Sequence, residues 1–87
     1  MLTAGRRIID KRGAPRHRVL KQGMLAFDHG GGVDCIVRNL SPNGARIDIV
    51  NPVGLPEVFT LVIETDDFKR RCHVAWSSER QIGVVFD

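Results

Sequence analysis

Strong turn signals break this chain so often that no segment is left for a long helix. They fall at Asp28-His29-Gly30-Gly31-Gly32, Ser41-Pro42-Asn43-Gly44, Asn51-Pro52-Val53-Gly54-Leu55-Pro56, Glu64-Thr65-Asp66-Asp67 and Ser78-Glu79-Arg80-Gln81. Glycine, proline, asparagine and aspartate recur in them because each favours a backbone geometry that reverses the chain; proline presets a turn dihedral, and Asn43-Gly44 is expected to accept positive φ. Only short runs remain between the turns, and short runs bury apolar surface most readily as strands.

The runs themselves alternate as strands do. Val19 to Phe27 is rich in apolar residues. From Val33 to Leu40, alternation sets Val33, Cys35 and Val37 on one face and Asp34 and Arg38 on the other. Ala45, Ile47 and Ile49 alternate with Arg46 and Asp48. Val58 to Ile63 is apolar except for Thr60 and reads as a central strand. In Phe68 to Ser77, Cys72, Val74 and Trp76 share a face, with Arg71 and His73 opposite; Ile82, Val84 and Phe86 complete the pattern. No segment carries a 3.6-residue period. About six short strands in an 87-residue chain predict one all-β domain, closed as a small six-stranded antiparallel barrel. Closure removes the exposed edges that a thin domain tolerates poorly.

Charge separates the beginning of the chain from the rest. Residues 1–22 hold seven bases against one acid, Asp10, a net +6, and the remaining 65 residues hold six bases and nine acids, a net −3. Residues 1–17, with Gly5, Gly13 and Pro15, read as a flexible basic arm, and residues 18–87 as the barrel. Such an arm seeks anions. The two cysteines, Cys35 and Cys72, each sit in an apolar run and read as small buried hydrophobes. No apolar stretch is long enough for a membrane span, and residues 1–11 lack the apolar core of a signal peptide, so a reducing cytoplasm is the expected compartment.

Catalytic and metal chemistry find little support. His17, His29 and His73 are widely spaced, nothing sets serine, histidine and aspartate together as a triad, and Gly30-Gly31-Gly32 reads as a hairpin turn instead of a phosphate loop. Neither a catalytic residue nor a metal ligand nor a cofactor is assigned. Nucleic-acid binding through the arm is the weaker alternative, because aromatic residues make up only 6% of the chain, tyrosine is missing, and no strand alternates basic with aromatic residues.

Four features, taken in order, narrow the reading. Arg12 and Arg16 stand four apart before the first strand. Asn39, Ser41 and Gly44 form an Asn-x-Ser-x-x-Gly turn after the second. Val74-Ala75-Trp76 lies in the next-to-last strand, and Ile82-Gly83-Val84-Val85-Phe86 closes the chain. This order resembles the PilZ domain, a bacterial receptor for the second messenger cyclic di-GMP, over about residues 12 to 87. The resemblance implies a six-stranded antiparallel barrel and a non-enzymatic sensor that changes its affinity for a downstream protein when it binds the nucleotide. It places Arg12 and Arg16 on the guanine edges and phosphates, and Asn39, Ser41 and Gly44 on the floor of the site. Lys11, Arg18 and Arg46 are further cations that could make accessory contacts, Lys11 through its charge beside the arginine pair. Asn39 stands where aspartate is common in the family. A PilZ-like interaction module without nucleotide is the alternative within the same family.

The chemistry agrees with that assignment. A guanidinium forks onto guanine O6 and N7 and stacks on a base, which lysine does less well. The Asn39 oxygen can accept from a guanine N–H, and Gly44 permits close backbone approach. An arm that orders on its ligand gives a conformational readout. Two plainer readings stand beside these: Asn39 and Ser41 as a turn that caps a hairpin, and Trp76 as core or rim packing.

Overall fold

Each apolar run becomes one strand. The computed structural model describes residues 17–87, with β1 at His17–Ala26, β2 at Gly32–Leu40, β3 at Gly44–Asp48, β4 at Val58–Ile63, β5 at Phe68–Ser77 and β6 at Gln81–Phe86. A single 3-10 turn, Glu64–Asp66, falls at one of the expected reversals. The strands close into an antiparallel barrel in the order β1-β2-β3-β6-β5-β4, and β4 returns to β1. Lys11, Arg12 and Arg16 lie outside the described residues.

The interior follows from strand alternation. Phe59, Leu61 and Ile63 point inward from β4; Cys35 and Val37 from β2; Ile82, Val84 and Phe86 from β6; and Leu25, Ile47 and Cys72 complete the ring. The apolar run Val58–Ile63 thus alternates, with Val58 on the outside. Val37, Ile47 and Ile82 are direct cross-strand partners and exclude solvent completely. Burying a side chain of this size contributes roughly 1.5–3 kcal/mol, so these contacts carry much of the stability of a small domain. Both cysteines are free and buried; burial pushes the Cys35 thiol up to about 12 and the Cys72 thiol up to about 11, which leaves them unreactive at neutral pH.

Closure rests on a short seam. β1 meets β4 only through Met24, Leu25 and Ala26, opposite Val62, Leu61 and Thr60. Side chains span the neighbouring gaps: Lys21 Nζ donates to Asp66 at 2.7 Å, and Arg71 forks onto Asp28 at 2.7 and 2.6 Å. The Arg71 guanidinium holds the Asp28 carboxyl below the usual carboxylate range. These pairs are exposed and act more as register marks than as stabilisers.

Three register shifts break the regular ladder: on β1 between Arg18 and Lys21, on β2 against β3 between Val37 and Asn39, and on β5 against β6 between Val74 and Trp76. An extra residue in one strand of a pair bends it and resets which side chains face in. On β2 the extra residue is Arg38. Val37 points inward opposite Ile47, Asn39 stands opposite Arg46, and Leu40 again packs toward the core. On β5 it is Ala75. Val74 faces Val84, Trp76 faces Gly83, and Ser77 faces Ile82.

One expectation is corrected here, and another holds for the face but not for burial. Alternation set Trp76 on the core face with Cys72 and Val74, but the bulge at Ala75 turns it to the outer face, where it is 46% exposed. Val33 was expected on the inner face with Cys35 and Val37. It keeps their face, opposite the buried Leu25, but lies at the open end of β2, beyond the last β3 partner, and is exposed there.

Replacing Ile47 with alanine should cost about 2–5 kcal/mol, because a closed ring of strands cannot collapse around the lost methyl groups. Urea unfolding of Ile47→Ala measures this; a midpoint equal to that of the parent would place the core elsewhere.

Candidate ligand-binding site

The bulges line up five residues around the barrel wall. Arg18 on β1 is the cross-strand partner of Asn39 on β2; Asn39 of Arg46 on β3; Arg46 of Gly83 on β6; and Gly83 of Trp76 on β5. Directly opposed residues share a face, so one row carries two arginines, an amide and an indole. The last four line a cleft of about 320 Å³, together with Ser41, Asn43, Gly44, Ala45, Ala75, Val84 and Val85. The structure therefore brings Asn39, Ser41, Gly44 and Arg46 together. Arg18 stands next to them in the row, outside the cleft lining.

Asn39 is the one buried polar side chain among the described residues. With its amide oriented so that the oxygen faces the guanidinium, it accepts from Arg46 Nε at 3.1 Å and Nη2 at 2.9 Å. This bidentate grip fixes Arg46 without neutralising it. Arg38, one residue away on the bulge, has a different fate: its Nε donates to Asp48 at 2.6 Å, and Gln81 Nε2 donates to the other oxygen of the same carboxylate at 2.7 Å. These two donors, Arg38 first, hold the Asp48 carboxyl below its usual range. Arg38 is thus spent on structure, while Arg46 keeps its charge at the cleft.

Ser41 serves the loop. Its hydroxyl accepts from the Asn43 and Gly44 N–H groups at 3.2 Å, and its own N–H donates to the Gly44 carbonyl at 2.9 Å. The hairpin-capping reading thus describes what Ser41 does in this structure. The expected positive φ at Asn43-Gly44 is not adopted; the left-handed residues among those described are Gly30, Gly31, Gly54 and Asp67. Gly44 is needed for another reason, since a Cβ there would overlap the Val84 carbonyl of β6. It lets β6 approach the turn and so shapes the back of the cleft.

Trp76 and Gly83 are the part of the cleft that alternation alone misplaces. The indole lies against Gly83, where a Cβ would overlap its ring nitrogen. A glycine inside the apolar run Ile82-Gly83-Val84 was the available signal, because such a glycine marks close approach by another group. Gly83 lets the only tryptophan in the chain rest close against the wall, where it lines the cleft.

Gly83→Ala should lift the indole from the wall, with a loss of about 1–3 kcal/mol for the forced shift and a red-shifted tryptophan emission. With one tryptophan the spectrum reports this position alone. Unchanged emission and stability would show that the indole does not rest on Gly83.

No curated protein matches the chain. Among the described residues there is no cluster of acidic, histidine and cysteine side chains able to hold a metal, and no helix long and apolar enough to cross a membrane. The family model for the PilZ domain matches residues 10–87, which takes in the Arg12–Arg16 pair, the Asn39–Gly44 turn and all six strands, and the chain belongs to the PilZ domain family.

Proposed function

We propose that this domain is a cyclic di-GMP receptor that alters its affinity for a partner protein when the nucleotide binds. PilZ is a family of cyclic di-GMP-binding modules, adaptors rather than catalysts. Within that family some domains bind no nucleotide, so this chain's own residues must carry the argument.

The row Arg18–Asn39–Arg46–Gly83–Trp76 is the observation that carries it. A guanine presents a flat ring and the acceptors O6 and N7, and each phosphate presents charged oxygens. The row offers a flat indole for stacking, a fixed and uncancelled guanidinium for forked donation, and a second arginine on the adjoining strand. The cleft is open and at the small end of the range for ligand pockets, so it can cover a ligand from one side. The other side is the role proposed for Arg12 and Arg16. The segment that bears them joins the barrel at β1, where Arg18 sits opposite Asn39. Closure of that segment over the nucleotide would change the surface shown to a partner. This is a binding energy used to shift a conformational population.

Calorimetric titration with cyclic di-GMP and cyclic di-AMP tests the reading, and quenching of Trp76 fluorescence follows the same event. The guanine ligand should bind and quench, and the adenine ligand, which lacks O6, should bind far more weakly. Arg12→Ala, Arg16→Ala and Arg46→Ala should each cost about 1.5–3 kcal/mol of binding, the range for a lost charge-assisted hydrogen bond, without loss of the β-sheet circular dichroism signal. Equal affinity for the two dinucleotides, or no binding of either, contradicts the proposal.

A further inference from the structure

A second depression lies on the outer wall, away from the cleft. It is made of two hollows of about 560 and 270 Å³. Gln22 and Asp34 line both, so the two form one groove, and none of its residues lines the cleft. Cross-strand partners set its course. Gln22 faces Ile36, Ile36 faces Asp48 and Asp48 faces Gln81, while Met24 lies between Asp34 and Val62. The groove thus crosses five strands, from β6 through β3, β2 and β1 to β4, a path of about 19 Å at the usual strand spacing.

Its chemistry changes along that path. Arg80 stands at the β6 end. The middle is apolar, with Ile36 half-buried and Val50 90% exposed; Asp48 there is already held by Arg38 and Gln81. Asp34 and Glu64 lie toward β4, and the ion pairs among the described residues engage other carboxylates, Asp28, Asp48, Asp66 and Asp87. Exposed apolar surface with a charged rim marks a contact site. We propose that this groove receives a segment of the same chain, Arg6-Arg7-Ile8-Ile9-Asp10, which lies outside the described residues. The order of the segment is the order of the groove: Arg6 and Arg7 for the two carboxylates, Ile8 and Ile9 for the apolar middle, Asp10 for Arg80.

The length of chain fits as well. Five extended residues cover about 17 Å, close to the length of the groove. The link from Ile9 to His17 spans up to about 26 Å, against about 18 Å down β1 and across to Ile36. A link this short gives an effective concentration in the millimolar range, so exposed contacts that are each weak hold within one molecule. Docking leaves residues 11–16, with Arg12 and Arg16, as a link fixed at both ends. That lowers the chain entropy lost when the pair closes on a ligand.

A spin label tests this without any nucleotide, so the outcome is independent of the receptor reading. Cys35 and Cys72 are buried and unreactive at neutral pH, so a label on full-length Thr3→Cys attaches at that position alone. NMR of the labelled protein should show the strongest broadening on Met24, Asp34, Val62 and Glu64. Asp34→Lys with Glu64→Lys, both at exposed positions, should abolish that pattern while the β-sheet circular dichroism signal stays. Adding Arg6→Glu and Arg7→Glu to the same chain should restore it. Broadening spread evenly over the barrel, or strongest elsewhere, overturns the proposal, and so does a pattern that the charge reversals leave unchanged or that their exchange fails to restore. Mixing spin-labelled protein with isotope-labelled, spin-free protein should give no broadening in the groove; broadening there would make a second copy the occupant and overturn the assignment to the same chain.

Discussion

Closing six short strands into a ring is the constraint on which everything else in this domain depends. The inner ring of Val37, Ile47 and Ile82 needs the strands to curve, and regular alternation alone does not supply the curvature. The bulges at Arg38 and Ala75 do. Each has a second effect: beyond the extra residue, the side chain that regular alternation would point inward points outward. Asn39 and Trp76 are those side chains. The cleft is therefore a by-product of closure, and its two most informative members would otherwise lie in the core.

Electrostatics then divides the arginines by task. Arg71 is matched to Asp28, and Arg38 to Asp48, each by a carboxylate that cancels it. Arg46 is matched to an amide that does not. A cleft lined by a fixed, uncancelled guanidinium favours anions.

Much of this was legible in the sequence, and the limits are physical. Turn residues at regular intervals and a strand period between them are local signals, and they gave the all-β class, the strand count and most of the core, from Phe59, Leu61 and Ile63 to Ile82, Val84 and Phe86. Asn39, Ser41, Gly44 and Arg46 could be gathered as candidates because the turn that carries them is a local motif. Alternation misplaced Trp76, because a bulge is set by pairing between distant strands; only Gly83, a glycine inside an apolar run, hinted at a close approach there. The division of labour between Arg38 and Arg46 was not legible, since Asp48 lies ten residues from the first and its choice of partner depends on register. Ser41 and Gly44 line the cleft and have structural tasks besides: Ser41 closes its own turn, and Gly44 admits Val84 of a distant strand, a contact no local pattern signals.

The central claim is that the row from Arg18 to Trp76 is where cyclic di-GMP meets the barrel. Amide and side-chain NMR shifts of the isotope-labelled protein, recorded as cyclic di-GMP is added, test it most directly. The account predicts that the largest shifts fall on Arg18, Asn39, Arg46, Gly83 and the Trp76 indole N–H, while the far ends of β2 and β5, near Val33 and Lys69, stay unchanged. Saturable shifts centred elsewhere on the barrel, with this row unperturbed, would contradict it.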